Sequence, residues 1–132
     1  MKNKLGLLLL AVGMAGILLP AGCKKAEQTY DITAGIGWAF TLTEEGEIIG
    51  TFVYNFEGDI ASGDVLASHE KRGTYVVTGE NFEFEALHYW PNNQTVTYRF
   101  SGRFDSENSI SGTYYYMTPD EVIVNGTFTA YR

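Results

Sequence analysis

The sequence predicts an all-β fold, an eight-stranded antiparallel up-and-down barrel that follows an N-terminal signal helix. Three observations predict it. A phrase of glycine, threonine and aromatic recurs as Gly50-Thr51-Phe52, Gly73-Thr74-Tyr75, Gly112-Thr113-Tyr114 and Gly126-Thr127-Phe128, with Gly102-Arg103-Phe104 as a degenerate copy. Period-two alternation then puts the glycines and aromatics on one face and the threonines on the other. Finally, short turn-like connections join the segments throughout, which favours antiparallel neighbours over parallel crossovers. A flat meander of eight strands would expose two edges, and closure removes them. Inward glycines fit closure too, because a small barrel needs sharp bends in several strands.

In order, the first strand runs from Trp38 to Thr43 with Trp38, Phe40 and Leu42 inward. Glu44-Glu45-Gly46 turns the chain into the second, Glu47 to Tyr54, whose inward set is Ile48, Gly50, Phe52 and Tyr54. Residues 55–59 read as a loop. The third strand, Ile60 to Ala67, carries a small inward set of Ala61, Gly63, Val65 and Ala67. Residues 68–72 lead to the fourth, with Gly73, Tyr75 and Val77 inward, and Gly79-Glu80-Asn81 is a hairpin turn. The fifth points Phe82, Phe84, Ala86 and His88 inward; the sixth Val96, Tyr98, Phe100, Gly102 and Phe104. Ile110, Gly112, Tyr114 and Tyr116 face inward on the seventh, and Val122, Val124, Gly126, Phe128 and Ala130 on the eighth.

Residues 1–22 have the form of an export signal. Lys2 and Lys4 begin it, and Leu5 to Leu19 is an uncharged, mostly apolar run. As a helix that run spans about 22 Å, short of the roughly 30 Å hydrocarbon core. It ends at Leu19-Pro20-Ala21-Gly22-Cys23, around the sole cysteine. This stretch resembles a bacterial lipobox, which implies acylation of Cys23, cleavage before it, and a lipid-anchored protein of the cell envelope. A single cysteine also excludes an intramolecular disulfide, so packing alone holds the domain. Residues 23–35 read as a lipid-anchored tether and 36–132 as one domain, large enough to fold unaided.

From residue 24 onward the chain has seven Lys and Arg against sixteen Asp and Glu, a net charge of −9. Such a surface disfavours nucleic acid and anionic lipid as partners. All nineteen aromatic residues also lie in this part.

The barrel pattern, with Gly37-Trp38 opening the first strand and Phe128-Thr129-Ala130-Tyr131-Arg132 closing the last, resembles the calycin group of lipocalins, fatty-acid-binding proteins and avidins. The resemblance implies that Arg132 covers the Trp38 ring where the first and last strands pair. It also implies a ligand at the opposite end of the barrel, away from the anchor.

Strand alternation gathers residues 44–46, 68–72, 90–94 and 118–121 at that far end. There Lys71, Arg72, His88, Trp90, Tyr98 and Tyr116 form the expected ligand-binding set. Two readings of them stand. One is an aromatic-walled pocket with cationic and imidazole donors at its rim. The other is a filled core whose tyrosine hydroxyls reach water at the mouth.

Catalytic and metal chemistry find little support. His69-Glu70 does not begin a His-Glu-x-x-His motif, because Gly73 occupies its last position. Two histidines supply no ordinary zinc set. Glu83 and Glu85, about 7 Å apart on one outer strand face, read as a solvated surface. No serine sits in a nucleophile elbow, and no cofactor motif is present. Two function classes remain: a carrier or sensor of a small apolar or aromatic ligand, and a protein-interaction module such as a hydrolase inhibitor or envelope scaffold. The second would use outward Tyr115, Met117, Ile123 and Tyr131.

Overall fold

The computed structural model describes residues 30–34 and 37–132. The expected signal segment 1–22, Cys23 and residues 24–29, 35 and 36 lie outside the described residues. Eight strands follow in order: β1 (Trp38–Glu44), β2 (Glu47–Gly58), β3 (Ser62–Ala67), β4 (Glu70–Thr78), β5 (Asn81–Trp90), β6 (Gln94–Ser106), β7 (Ser109–Met117) and β8 (Ile123–Tyr131). Each pairs antiparallel with the next, and β1 pairs with β8 from Ala39↔Tyr131 to Thr43↔Thr127, closing the barrel.

The alternation holds as expected. Thr51, Thr74, Thr113 and Thr127 are exposed, while Phe40, Leu42, Tyr75, Phe84, Phe100, Tyr114 and Phe128 are buried. Gly102 and Gly112 face one another across β6 and β7. A Cβ on Gly112 would run into the Ser101 carbonyl and the Gly102 Cα, so the two strands approach only because neither position carries a side chain.

Aromatic rings fill the lumen at mid-height. Phe40 on β1 meets Tyr54 of β2, Phe84 of β5, Phe100 of β6 and Phe128 of β8, at centroid distances of 5.2, 5.3, 5.7 and 5.2 Å. Rings from across the barrel therefore touch one another, and Phe84 stacks on Phe100 at 4.3 Å.

The lower end, where β1 starts, is closed by residues 30–34. These read as the end of a tether, yet they pack on the barrel. Ile32 is fully buried, Tyr30 stacks on Phe104 at 4.7 Å, and the Trp38 indole donates to the Ile32 carbonyl at 2.9 Å. Tyr30 and Ile32, flanked directly by Thr29, Asp31 and Thr33, are too few to carry a periodic signal, so the packing is invisible in a pattern search.

Several expectations are corrected. Ile48 was expected inward and is 71% exposed. The ladder runs Leu42↔Gly50 and then Thr43↔Ile48, so Ile49 is the extra residue of a β-bulge that reverses the phase. Residues 55–59 were expected as a loop, but β2 continues to Gly58 and buries Phe56. Ala61 is exposed and precedes β3. Val122 lies in the β7–β8 turn, exposed, with its N–H donating to Thr118 Oγ1 at 3.0 Å.

Candidate functional site

The barrel wall has a seam between β2 and the β3–β4–β5 side. β2 has twelve residues and β3 only six. Their ladder covers Asn55↔Leu66 to Gly58↔Gly63, so the β2 edge above Asn55 has no β3 partner. A second shortfall lies across from it, because the β4–β5 ladder stops at Tyr75↔Phe84. The result is a cleft of about 580 Å³, whose lining includes Phe52, Tyr54, His69, Arg72, His88 and Tyr89.

Local sequence explains how those side chains arrive. Ala67↔Glu70 pairing leaves Ser68-His69 as a two-residue hairpin loop, with φ of 53° and 65°. That conformation usually belongs to Asn-Gly, so this loop holds His69 at the cleft in a conformation costly for a side chain. Beyond it, Val65↔Gly73 is followed by Leu66↔Lys71, which makes Arg72 the extra residue of a bulge. Bulges re-aim side chains, and here the bulge turns Arg72 into the seam. The same bulge shifts Lys71 from the inward to the outward phase, where it pairs with Asp64 at 3.2 Å.

Arg72 is held at three places. Nη1 donates to the Leu87 carbonyl at 3.0 Å, Nη2 lies 3.3 Å from Glu70, and the guanidinium sits 4.7 Å over the Tyr89 ring. Its Nε is buried and without an acceptor among the described residues. Deeper in the seam, the Tyr54 hydroxyl meets His88 Nε2 at 2.5 Å, and the Phe52 ring packs edge-on to His88 at 4.9 Å. Burial, with Arg72 adding to it, pushes the His88 imidazole down to about 4, so the ring is neutral at pH 7. Burial likewise raises the Tyr54 hydroxyl above the ordinary phenol range, which keeps it a donor.

Of the expected site set, Lys71 lies apart on the outer wall, and the others divide between this seam and the upper mouth. Arg72 and His88 line the seam. Tyr98 and Tyr116 belong to an aromatic stack across the mouth, where His88 stacks on Tyr98 at 4.1 Å and Tyr98 on Tyr116 at 4.3 Å. Trp90 covers Tyr116 edge-on at 5.6 Å. Glu44 anchors the stack by accepting from Tyr114 at 2.7 Å and Tyr116 at 3.2 Å. Burial first, then neighbouring Tyr98 and Glu44, raises the Tyr116 hydroxyl, so it stays protonated and donates. His88 is the ring common to both places.

Phe52, Tyr54, Tyr89 and Glu44 were not in the expected set. The inward phase gives Phe52 and Tyr54, but nothing in a strand pattern marks a wall that fails to close. The one available signal was the small-residue composition of β3, which makes it a short and weakly specified neighbour.

At the other end, the Arg132 guanidinium lies 4.6 Å over the Trp38 ring. It also donates to the carbonyls of Asp31 and Ala34, at 2.7 and 2.6 Å, and to Asn108 Oδ1 at 3.2 Å. One side chain thus ties the closing segment, the first strand and the β6–β7 turn together.

No protein-family model and no curated protein matches this sequence. Among solved structures, the chain is similar to EF1p2_mFAP2b bound to DFHBI, at 17% identity and a TM-score of 0.58 over 73% of this chain and 90% of that one. This likeness shows that the chain folds as a small β-barrel.

Proposed function

We propose that this chain is a lipid-anchored envelope protein whose calycin-like barrel binds a small apolar or aromatic ligand and does no chemistry on it. Lipidation at Cys23 rests on the lipobox resemblance of residues 19–23. The observation that carries the binding reading is the seam. It combines a volume ordinary for small-molecule sites with aromatic walls and a few polar groups. With the lumen filled, we take the wall beside the 68–69 hairpin as the site in place of the mouth, and Asn55 and His69 there also border a cleft lined by Ile32 and Thr33. EF1p2_mFAP2b, similar in fold, was solved holding the small molecule DFHBI. That supports the reading by analogy of architecture.

A second reading has its own observation. Tyr115, Met117 and Ile123 are exposed on the outer face of β7 and β8, and Met117 pairs directly with Ile123. An interaction module with a filled barrel would use that face.

Native mass spectrometry of the protein purified from its own host separates the two. A co-purifying small molecule at one per chain, displaced when Phe52→Trp narrows the seam, is the expected result. A chain free of small molecules but bound stoichiometrically to an envelope protein would replace the first reading by the second.

A further inference from the structure

We infer that the seam takes a small planar aromatic anion, one or two rings bearing a carboxylate, and that Arg72 is the residue that holds the acid group. The inference rests on the small-ligand reading and narrows it to a ligand class.

The cations of the barrel surface set the contrast. Lys71, Arg99 and Arg103 are 61%, 54% and 63% exposed and pair with Asp64, Glu85 and Glu80 on the outer wall. Such pairs are screened and solvated, and they need no further explanation. Arg72 is only 15% exposed, and its ion pair with the half-exposed Glu70 is the longest of the four at 3.3 Å. Its Nε donor is buried, with no acceptor for it among the described residues. A desolvated guanidinium with an unmet donor is costly to a fold. The side chain reaches this position through a bulge, in a strand whose alternation would otherwise send it outward.

The rest of the lining selects the remainder of the ligand. None of the cleft-lining residues is an Asp or Glu, although the domain around it is strongly acidic. The carboxylate beside it is the half-exposed Glu70, which pairs with Arg72 at 3.3 Å and accepts from the Tyr89 hydroxyl at 3.3 Å, so an entering acid group competes with Glu70 for Arg72. Tyr54 and the neutral His88 offer hydrogen-bonding groups without charge, and Phe52 and Tyr89 offer ring surfaces for a flat apolar body. The unpaired β2 edge adds backbone polar groups along one side. A guanidinium binds a carboxylate through charged N–H donors, and the Arg72 donor left to give is Nη2, held only by its 3.3 Å pair with Glu70.

A matched pair of fluorescent probes tests this. 8-Anilino-1-naphthalenesulfonate is anionic, and N-phenyl-1-naphthylamine has the same rings without the charge. All described strands and core residues lie within 30–132, so the unlipidated chain from residue 24 onward carries the complete barrel. The expected result is saturable 1:1 binding of the anionic probe, about tenfold tighter than the neutral one. Arg72→Gln should weaken the anionic probe by about tenfold and leave the neutral probe unchanged. Should that variant fail to fold, the wild-type chain still decides: 1-naphthoate should displace the bound probe and 1-naphthamide should not. Equal binding of charged and neutral probes would overturn the acid preference while leaving the small-ligand reading standing. Binding of neither probe nor of either naphthalene compound would overturn both. Anionic binding insensitive to Arg72→Gln would place the probe elsewhere and overturn the role of Arg72.

Discussion

At the scale of single residues, the neutral His88 ring links the seam to the mouth, and its protonation has a readable consequence. Folded, it takes a proton only near pH 4, because it is buried and faces Arg72; unfolded, it does so near its ordinary 6.5. Between those values the unfolded chain binds more protons, so stability falls as the pH drops from 6.5 toward 4. Water reaches part of the ring and screens the effect, leaving a loss of about 1–2 kcal/mol across the window. Thermal melts of wild type against His88→Gln check this. The wild type should lose more melting temperature between those pH values than the variant, whereas parallel curves would mean that His88 does not titrate as a buried ring. Gly112 gives a steric counterpart. Gly112→Ala would force β6 and β7 apart at Ser101 and Gly102, with an expected cost of about 3 kcal/mol by denaturant unfolding. A change near zero would mean the two strands are not held at that separation.

At the scale of elements, the β3–β4 hairpin trades stability for placement. Ser68 and His69 both sit at positive φ, where Asn and Gly are at ease. The double change Ser68→Asn, His69→Gly should therefore raise stability by about 1 kcal/mol. It should also widen the seam and weaken ligand binding. A loss of stability would show that the two native side chains make up for the strain. The same hairpin shows where the sequence stopped being legible. Residues whose neighbours are set by alternation, such as Phe40, Phe100, Gly112 and Phe128, were readable because a period of two leaves one choice of face. The bulges at Ile49 and Arg72 were not, since an extra residue depends on how two strands drift in register rather than on either strand alone. Ile48 was placed on the wrong face for that reason. Arg72 was named for its charge and its loop, while the turn that carries it into the seam emerged only from the pairing. The inequality of β2 and β3 that opens the wall is likewise a property of the pair.

At the scale of the whole molecule, the barrel is closed at one end, filled through its middle and open in its side wall. Arg132 holds the closed end by charged hydrogen bonds and by its contact with Trp38. Arg132→Ala should cost about 2 kcal/mol and speed proteolysis within residues 30–34, while binding in the seam stays unchanged. Coupled loss of binding would mean the two ends are not independent. The proposed anchor is tested by Cys23→Ser, which should yield protein without lipid; membrane-bound protein of normal mature mass would contradict lipidation. Binding in the wall of a filled barrel is tested most directly by amide chemical-shift mapping of the unlipidated chain, titrated with 1-naphthoate. A site in the seam predicts shifts clustered at Phe52 to Asn55, Ser68 to Arg72, and His88 and Tyr89, with the Phe40, Phe100 and Phe128 amides still. Shifts centred on those three core residues would mean that the ligand enters the lumen, and the seam would then be a gap in the wall and not a site.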